Sequence, residues 1–174
     1  MEIRTESWQE LHNKLGTSDA SPPTPVYVVV YALTRGAGIE VSYARRELRD
    51  ASTIWRNWLL TDDGHLVHSE LEFAAENYDS YAEDSLRNMG NQDSTIDPVV
   101  HKAWVRRLDD VTSLHIAAVG RLTGFQKNWF PVGDIRLTFA DGTDANLPGQ
   151  TLVSPNDREW SDRFINALRG RVKL

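Results

Sequence analysis

The chain reads as an α+β protein, a meander of short antiparallel strands closed by one amphipathic C-terminal helix. Three observations predict this. Ile135, Leu137 and Phe139 alternate with Arg136 and Thr138, the period of a strand with one wet face. Asp141-Gly142 then supplies a two-residue turn, so Thr143 to Leu147 should return antiparallel. Finally, Trp160, Phe164, Ile165 and Leu168 recur at helical spacing behind Ser154, Pro155 and Asp157. These three suit the cap, the first helical position and the capping partner, and Gly170 can close the far end.

The elements follow in order. Ser7-Trp8-Gln9-Glu10 has the form of a capping box, and Trp8, Leu11 and Leu15 continue at helical spacing before Gly16, predicting a helix over about Ser7–Leu15. It either docks on the rest or stands free; docking is preferred because Trp8 would otherwise be exposed. Thr17 to Pro25, with three prolines, reads as a linker. Val26-Tyr-Val-Val-Val-Tyr-Ala-Leu33 predicts a strand covered on both faces. Ile39 to Asp50 is ambiguous between strand and helix, with the strand preferred. Thr53–Leu60 and His65–Leu71 flank Thr61-Asp62-Asp63-Gly64, a good hairpin loop. Glu72 to Asn88 looks helical and acidic, residues 90–98 loop-like, and Val99–Leu108 strand-like around Trp104. Val111 to Val119 forms the next strand, after Asp109-Asp110.

Length, charge and cysteine content bound the function. At 174 residues the chain fits one domain: an N-terminal helix over about 1–16, the linker 17–25 and an α+β domain over 26–174. A 40% apolar share with six Trp supports a real core. The net charge of −6 disfavours duplex nucleic acid and anionic lipid, both of which call for a basic surface. Cysteine is absent, which excludes thiol nucleophiles, disulfides and thiolate metal sites. The first residues show no secretion signal and no run reaches the roughly 20 apolar residues of a membrane span, so a soluble cytoplasmic protein is expected.

Four stretches carry a resemblance: Trp58-Leu-Leu-Thr-Asp-Asp-Gly-His-Leu-Val67, Val105-Arg-Arg-Leu-Asp-Asp-Val-Thr-Ser-Leu114, Ile135-Arg-Leu-Thr-Phe-Ala-Asp-Gly142 and Trp160-Ser-Asp-Arg-Phe-Ile-Asn-Ala-Leu168. Their order resembles the bacterial pleckstrin-homology-like (PH-like) domains over roughly residues 53–169. The resemblance implies an antiparallel PH-like β-barrel or strongly bent sheet with a C-terminal capping helix. Here that fold would carry an inserted acidic helix at 72–88 and the short N-terminal helix. Trp160, Phe164 and Leu168 would plug the barrel mouth. It also implies a binding scaffold in preference to an enzyme, although fold alone does not fix function.

The candidate chemistry is sparse. Gly36-Ala-Gly38 has the look of a dinucleotide loop, but the third glycine position holds Val41, so a plain turn is preferred and no cofactor is expected. The histidines are His12, His65, His68, His101 and His115; His65 and His68 are an odd step apart, so on one strand they face opposite ways. No metal site is expected. Asp62-Asp63 and Asp109-Asp110 sit in turns, where Asp bonds its own backbone, and no catalytic constellation emerges. The loop Arg121-Leu-Thr-Gly-Phe-Gln-Lys127-Asn-Trp129-Phe130-Pro131 combines aromatic anchors with cations, as interface centres do. Arg121, Lys127, Trp129 and Phe130 are therefore the candidate partner-binding residues, although for Trp129 and Phe130 the preferred reading is that they begin the next strand and face the core. Arg35, Arg45 and Arg46 read as a solvated edge that could contact an acidic ligand. The expectation is a non-catalytic binding module for a protein or peptide. The alternatives are a hydrolase using Glu72, Glu76, Glu83 and Asp84, or a homo-oligomeric structural component.

Overall fold

A computed structural model describes residues 3–17, 20–75, 81–82, 85, 97–117, 119, 132–147, 149 and 157–173. It divides into two compact units, Met1–Arg106 and Arg107–Leu174. The protein is α+β: its strands pair antiparallel into a four-stranded sheet of order β1-β2-β3-β4 and a three-stranded sheet of order β5-β6-β7. Among the described residues no closed barrel forms. Closure would need end strands to pair with one another, and the ladders contain no such pairing.

The first unit opens with α1 (Thr5–Lys14) and α2 (Thr24–Thr34), followed by β1 (Ile39–Arg49), β2 (Ser52–Thr61), β3 (His65–Phe73) and β4 (Val99–Arg107). The helix α1 lies close to its expected place but begins at Thr5, with Arg4 as N-cap and no side-chain cap bond. Glu10 does not close a capping box; its Oε1 accepts the Ile39 backbone N–H at 2.9 Å and ties α1 to the start of β1. Leu11 and Leu15 enter the core and Trp8 packs beside it, so the helix is docked.

The stretch Val26–Leu33 is helix α2, not the expected strand. A short apolar run has no periodicity that separates a buried helix from a buried strand. The prolines decide it. Pro23 is the N-cap and Pro25 sits in the first turn, where a missing N–H leaves nothing unpaired. The proposed linker therefore ends two residues earlier, at Pro23, with Pro22 and Pro23 buried. The lower helix propensity of valine costs a few tenths of a kcal/mol per residue. Burying a valine returns roughly 1.5–3 kcal/mol, so packing wins.

Both helices cover one face of the sheet, where Val26, Tyr27 and Val30 meet Ala44, Trp55, Leu59, Val67, Leu71 and Phe73. In the ladder Leu59 lies opposite Val67 and Trp55 opposite Leu71. The intervening residues Trp58 and His68, also opposite each other, belong to the other face and are buried as well. The hairpin between β2 and β3 turns at Thr61-Asp62-Asp63-Gly64 as expected, with Gly64 at φ +84°, a left-handed angle that glycine adopts freely.

The ambiguous segment is strand β1, interrupted by one register shift between Ile39 and Val41. Glu72 and Phe73 end β3 instead of starting a helix. Of the rest of the expected acidic helix, Tyr81, Ala82 and Ser85 are helical, and the other positions after Ala75 lie outside the described residues.

The second unit runs from a 3-10 turn (Leu108–Asp110) into β5 (Val111–Ile116), β6 (Ile135–Phe139), β7 (Asp144–Leu147) and α3 (Arg158–Arg171). On β6, Ile135, Leu137 and Phe139 are buried and Arg136 is exposed, the alternation that predicted the strand. The turn is one residue longer than expected. Phe139 N–H donates to Thr143 O at 2.9 Å, leaving Ala140-Asp141-Gly142 as the loop, with Gly142 at φ +80°. Gly149 is held by space: a Cβ there would stand 2.9 Å from the Gly133 carbonyl carbon.

In α3 the buried stripe is Ser161, Phe164, Ile165 and Leu168. Trp160 is 37% exposed, so only two of the three expected plug residues are buried. The small Ser161 takes the inward position one step round the helix. Gly170 does not end the helix, which continues to Arg171. Asp157 is its N-cap, without a side-chain capping bond to the helix, and Ser154 and Pro155 lie outside the described residues.

Candidate functional site

A cavity of about 580 Å3 opens where the C-terminal end of α2 meets the β2–β3 hairpin, with Val105 of β4 forming one wall. Its floor is apolar, from Leu33, Val67 and Val105, and its rim is polar, from Thr34, Arg35, Asp63 and His65. The rim is built by the hairpin turn. Gly64 N–H donates to Thr61 O at 3.0 Å, which folds Asp63 and His65 back toward each other. His65 Nδ1 then lies 3.0 Å from Asp63 Oδ1, and Thr61 Oγ1 donates to the same carboxylate oxygen.

These two bonds, Thr61 first and His65 second, hold the Asp63 carboxyl below its ordinary range. With Nδ1–H committed to a carboxylate, the neutral His65 ring presents Nε2 as an acceptor. Carboxylate and imidazole make an oriented pair, which is how general bases are held. The Thr61 hydroxyl, however, faces Asp63 and not the imidazole, so it is not placed as a nucleophile.

Arg35 forms the other side of the rim from an unusual backbone. It is the C-cap of α2 at φ +54°, ψ +28°, a left-handed conformation in which glycine is the favoured residue. Among the described residues it is the one non-glycine with positive φ.

The far face of the first sheet carries a row of rings. Tyr43, Trp58, His68 and Trp104 sit on β1, β2, β3 and β4 in turn. Their successive centroids are 6.0, 4.9 and 5.3 Å apart. His68 Nδ1 lies 3.0 Å from Asn57 O, so that nitrogen carries the proton. Burial pushes the His68 pKa down to about 4, leaving the ring neutral.

A charged row runs beside these rings. Arg56 pairs with Glu47 and, through Nε at 3.1 Å, with Glu70, and Lys102 reaches Glu70 at 3.7 Å. Arg56, followed by Arg49, pulls the Glu47 pKa down to about 2. Burial would raise the Glu70 carboxyl, but the bond from Arg56 outweighs it and lowers the pKa.

The end strand β4 completes the picture. Val99, Val100 and Val105 are 59%, 48% and 42% exposed, and most of its residues are exposed on both faces.

Several expected sites are rearranged. His65 and His68 do stand on opposite faces of β3. Gly36-Ala-Gly38 leads from a helix into a strand, the reverse of a dinucleotide loop. Arg35, Arg45 and Arg46 do not form one cluster: Arg45 stands opposite Arg56, well down the ladder from Thr61. Arg121, Lys127, Trp129 and Phe130 lie outside the described residues, as do Glu76, Glu83 and Asp84. Glu72 pairs with His101 Nε2 at 2.7 Å. Among the described residues no three His, Asp or Glu side chains gather as metal ligands, and no helix is long and apolar enough to cross a membrane.

The pocket escaped the sequence reading because its walls come from α2, β2, β3 and β4. One signal was available: Asp63 and His65 straddle Gly64 in a turn, a spacing that folds carboxylate onto imidazole. Compared with protein-family models, curated proteins and solved structures, the chain finds no match.

Proposed function

We propose that this chain is a non-catalytic binding module that takes an extended protein or peptide segment along β4. The observation that carries the reading is the exposure of this end strand, whose valines face solvent at the margin of the sheet. An unpaired sheet edge offers a row of main-chain donors and acceptors to an added strand, and side-chain pockets then supply selectivity.

Charge narrows the partner. The strand Val99–Arg107 carries Lys102, Arg106, Arg107 and His101 and no carboxylate, so an acidic segment complements it. Such a segment competes with Glu70, Glu72 and Asp109 for the exposed Lys102, His101 and Arg107. The scaffold reading belongs to the same proposal. A four-stranded sheet, a three-stranded sheet and a closing helix follow the order that suggested a PH-like domain.

The test is selection from a displayed library of random peptides on the full chain, followed by amide hydrogen exchange. Acidic peptides that protect β4 amides and weaken with salt are expected. Protection located elsewhere would overturn the reading. So would headgroup-selective flotation with vesicles in the absence of any peptide binder.

A further inference from the structure

We infer that the cavity at the C-terminal end of α2 is a binding site for a small organic anion, a carboxylate or phosphate monoester, held by Arg35 with His65 beside it. The site stands independently of the partner reading, since most of its walls come from α2 and the β2–β3 hairpin. At about 580 Å3 it falls within the range of small-molecule pockets, roughly 300–1,000 Å3.

Three observations converge on an anion. Arg35 has no ion-pair partner among the described residues, and neither has Arg4. The Nη2 atom of Arg4 lies 3.7 Å from where a Cβ of Gly36 would be, so a second guanidinium stands next to Gly36, a lining residue, although Arg4 itself does not line the cavity. Among the described residues, the one carboxylate lining the cavity, Asp63, already accepts from Thr61 and His65. It orients the imidazole instead of neutralising Arg35.

The backbone supplies the third observation. Arg35 occupies a left-handed position that glycine fills without strain. Such strained residues gather where a binding site holds its functional groups. The guanidinium carried there is exposed and can turn its fork toward a planar or tetrahedral oxyanion. In its imidazolium form, with Nδ1–H kept on Asp63, His65 donates one more bond through Nε2–H, and Leu33, Val67 and Val105 line the space for an apolar body.

The experiment uses the full isotope-labelled chain, with benzoate and phenyl phosphate as probes and benzamide as the uncharged match of benzoate. Saturable amide shifts at Arg35, Gly36 and His65 are expected with at least one anion, and none with benzamide. Whichever anion binds more tightly identifies the headgroup. Arg35→Gly should raise the thermal midpoint by relieving the backbone, yet weaken the anion about tenfold or more through loss of a charge-assisted pair. His65→Gln should weaken it severalfold. Equal binding of benzamide, undiminished binding by Arg35→Gly, or no saturable shift at millimolar probe would overturn the inference.

Discussion

Burial fixes the charge state of His68, and with it a piece of the acid sensitivity of the protein. In the unfolded chain the imidazole takes up a proton near pH 6.5; in the fold, desolvation first of all holds it back to about 4. A depressed folded pKa means that stability is present above the unfolded value and is lost as pH falls through the window from about 6.5 to about 4. The whole shift corresponds to something on the order of 3 kcal/mol. His68→Phe keeps a ring between Trp58 and Trp104 but has no proton to bind. The urea midpoint of the parent should fall between about pH 7 and pH 5, and that of the variant should stay nearly level. An equal slope in both would show that His68 is not the group responsible. At this scale, the sequence revealed local relations and hid distant ones. The odd spacing of His65 and His68 placed them on opposite faces. Glu10, three residues after Ser7, looked like a capping partner but bonds Ile39, 29 positions away. Nothing in the spacing near Glu10 announces that partner.

Strands flanked by turn chemistry were the easiest elements to read. Gly64 and Gly142 mark left-handed positions that few other residues tolerate, so both hairpins could be placed from sequence within a residue or so. The run at Val26 was harder, because apolar residues occupy almost every position and no face is marked. Its helical state has a measurable signature. In a strand Val28 and Val30 would share a face and respond alike to truncation. In α2, Val30 is fully buried while Val28 is 38% exposed. Val30→Ala should therefore cost about 2 kcal/mol, from lost transfer energy and a residual cavity. Val28→Ala should be neutral or stabilising by a few tenths, since alanine favours helix. Matched losses in urea unfolding would contradict the helix. The stripe on α3 carries a related lesson. Counting apolar residues selects Trp160, but the inward position belongs to Ser161, because a small side chain there leaves room that a large one would not.

The order of elements across the molecule was legible except at Val26–Leu33, and of the pairings only those across the two hairpin turns were. Local patterning marks all seven observed strands and the closing helix, but also an eighth strand at Val26–Leu33, where the chain is helical. Which edges join is decided by contacts far apart in the chain, so the expected closure into a barrel could not be tested against spacing. The division into units at Arg106–Arg107 was invisible for another reason. It falls at the end of β4 with no proline, glycine or change of composition to mark it. That same strand bears on how the protein should be handled in the tube. Two identical cationic margins repel, which keeps copies apart despite bare valines and open main-chain groups. The repulsion reaches about 8 Å at physiological salt and only about 3 Å at 1 M. Concentrated brine should therefore promote ribbon-like assembly, seen as rising light scattering with thioflavin staining, where dilute buffer leaves the sample clear. Val100→Lys should delay it. Salting out, a routine first purification step, is for this chain the one most apt to seed fibres.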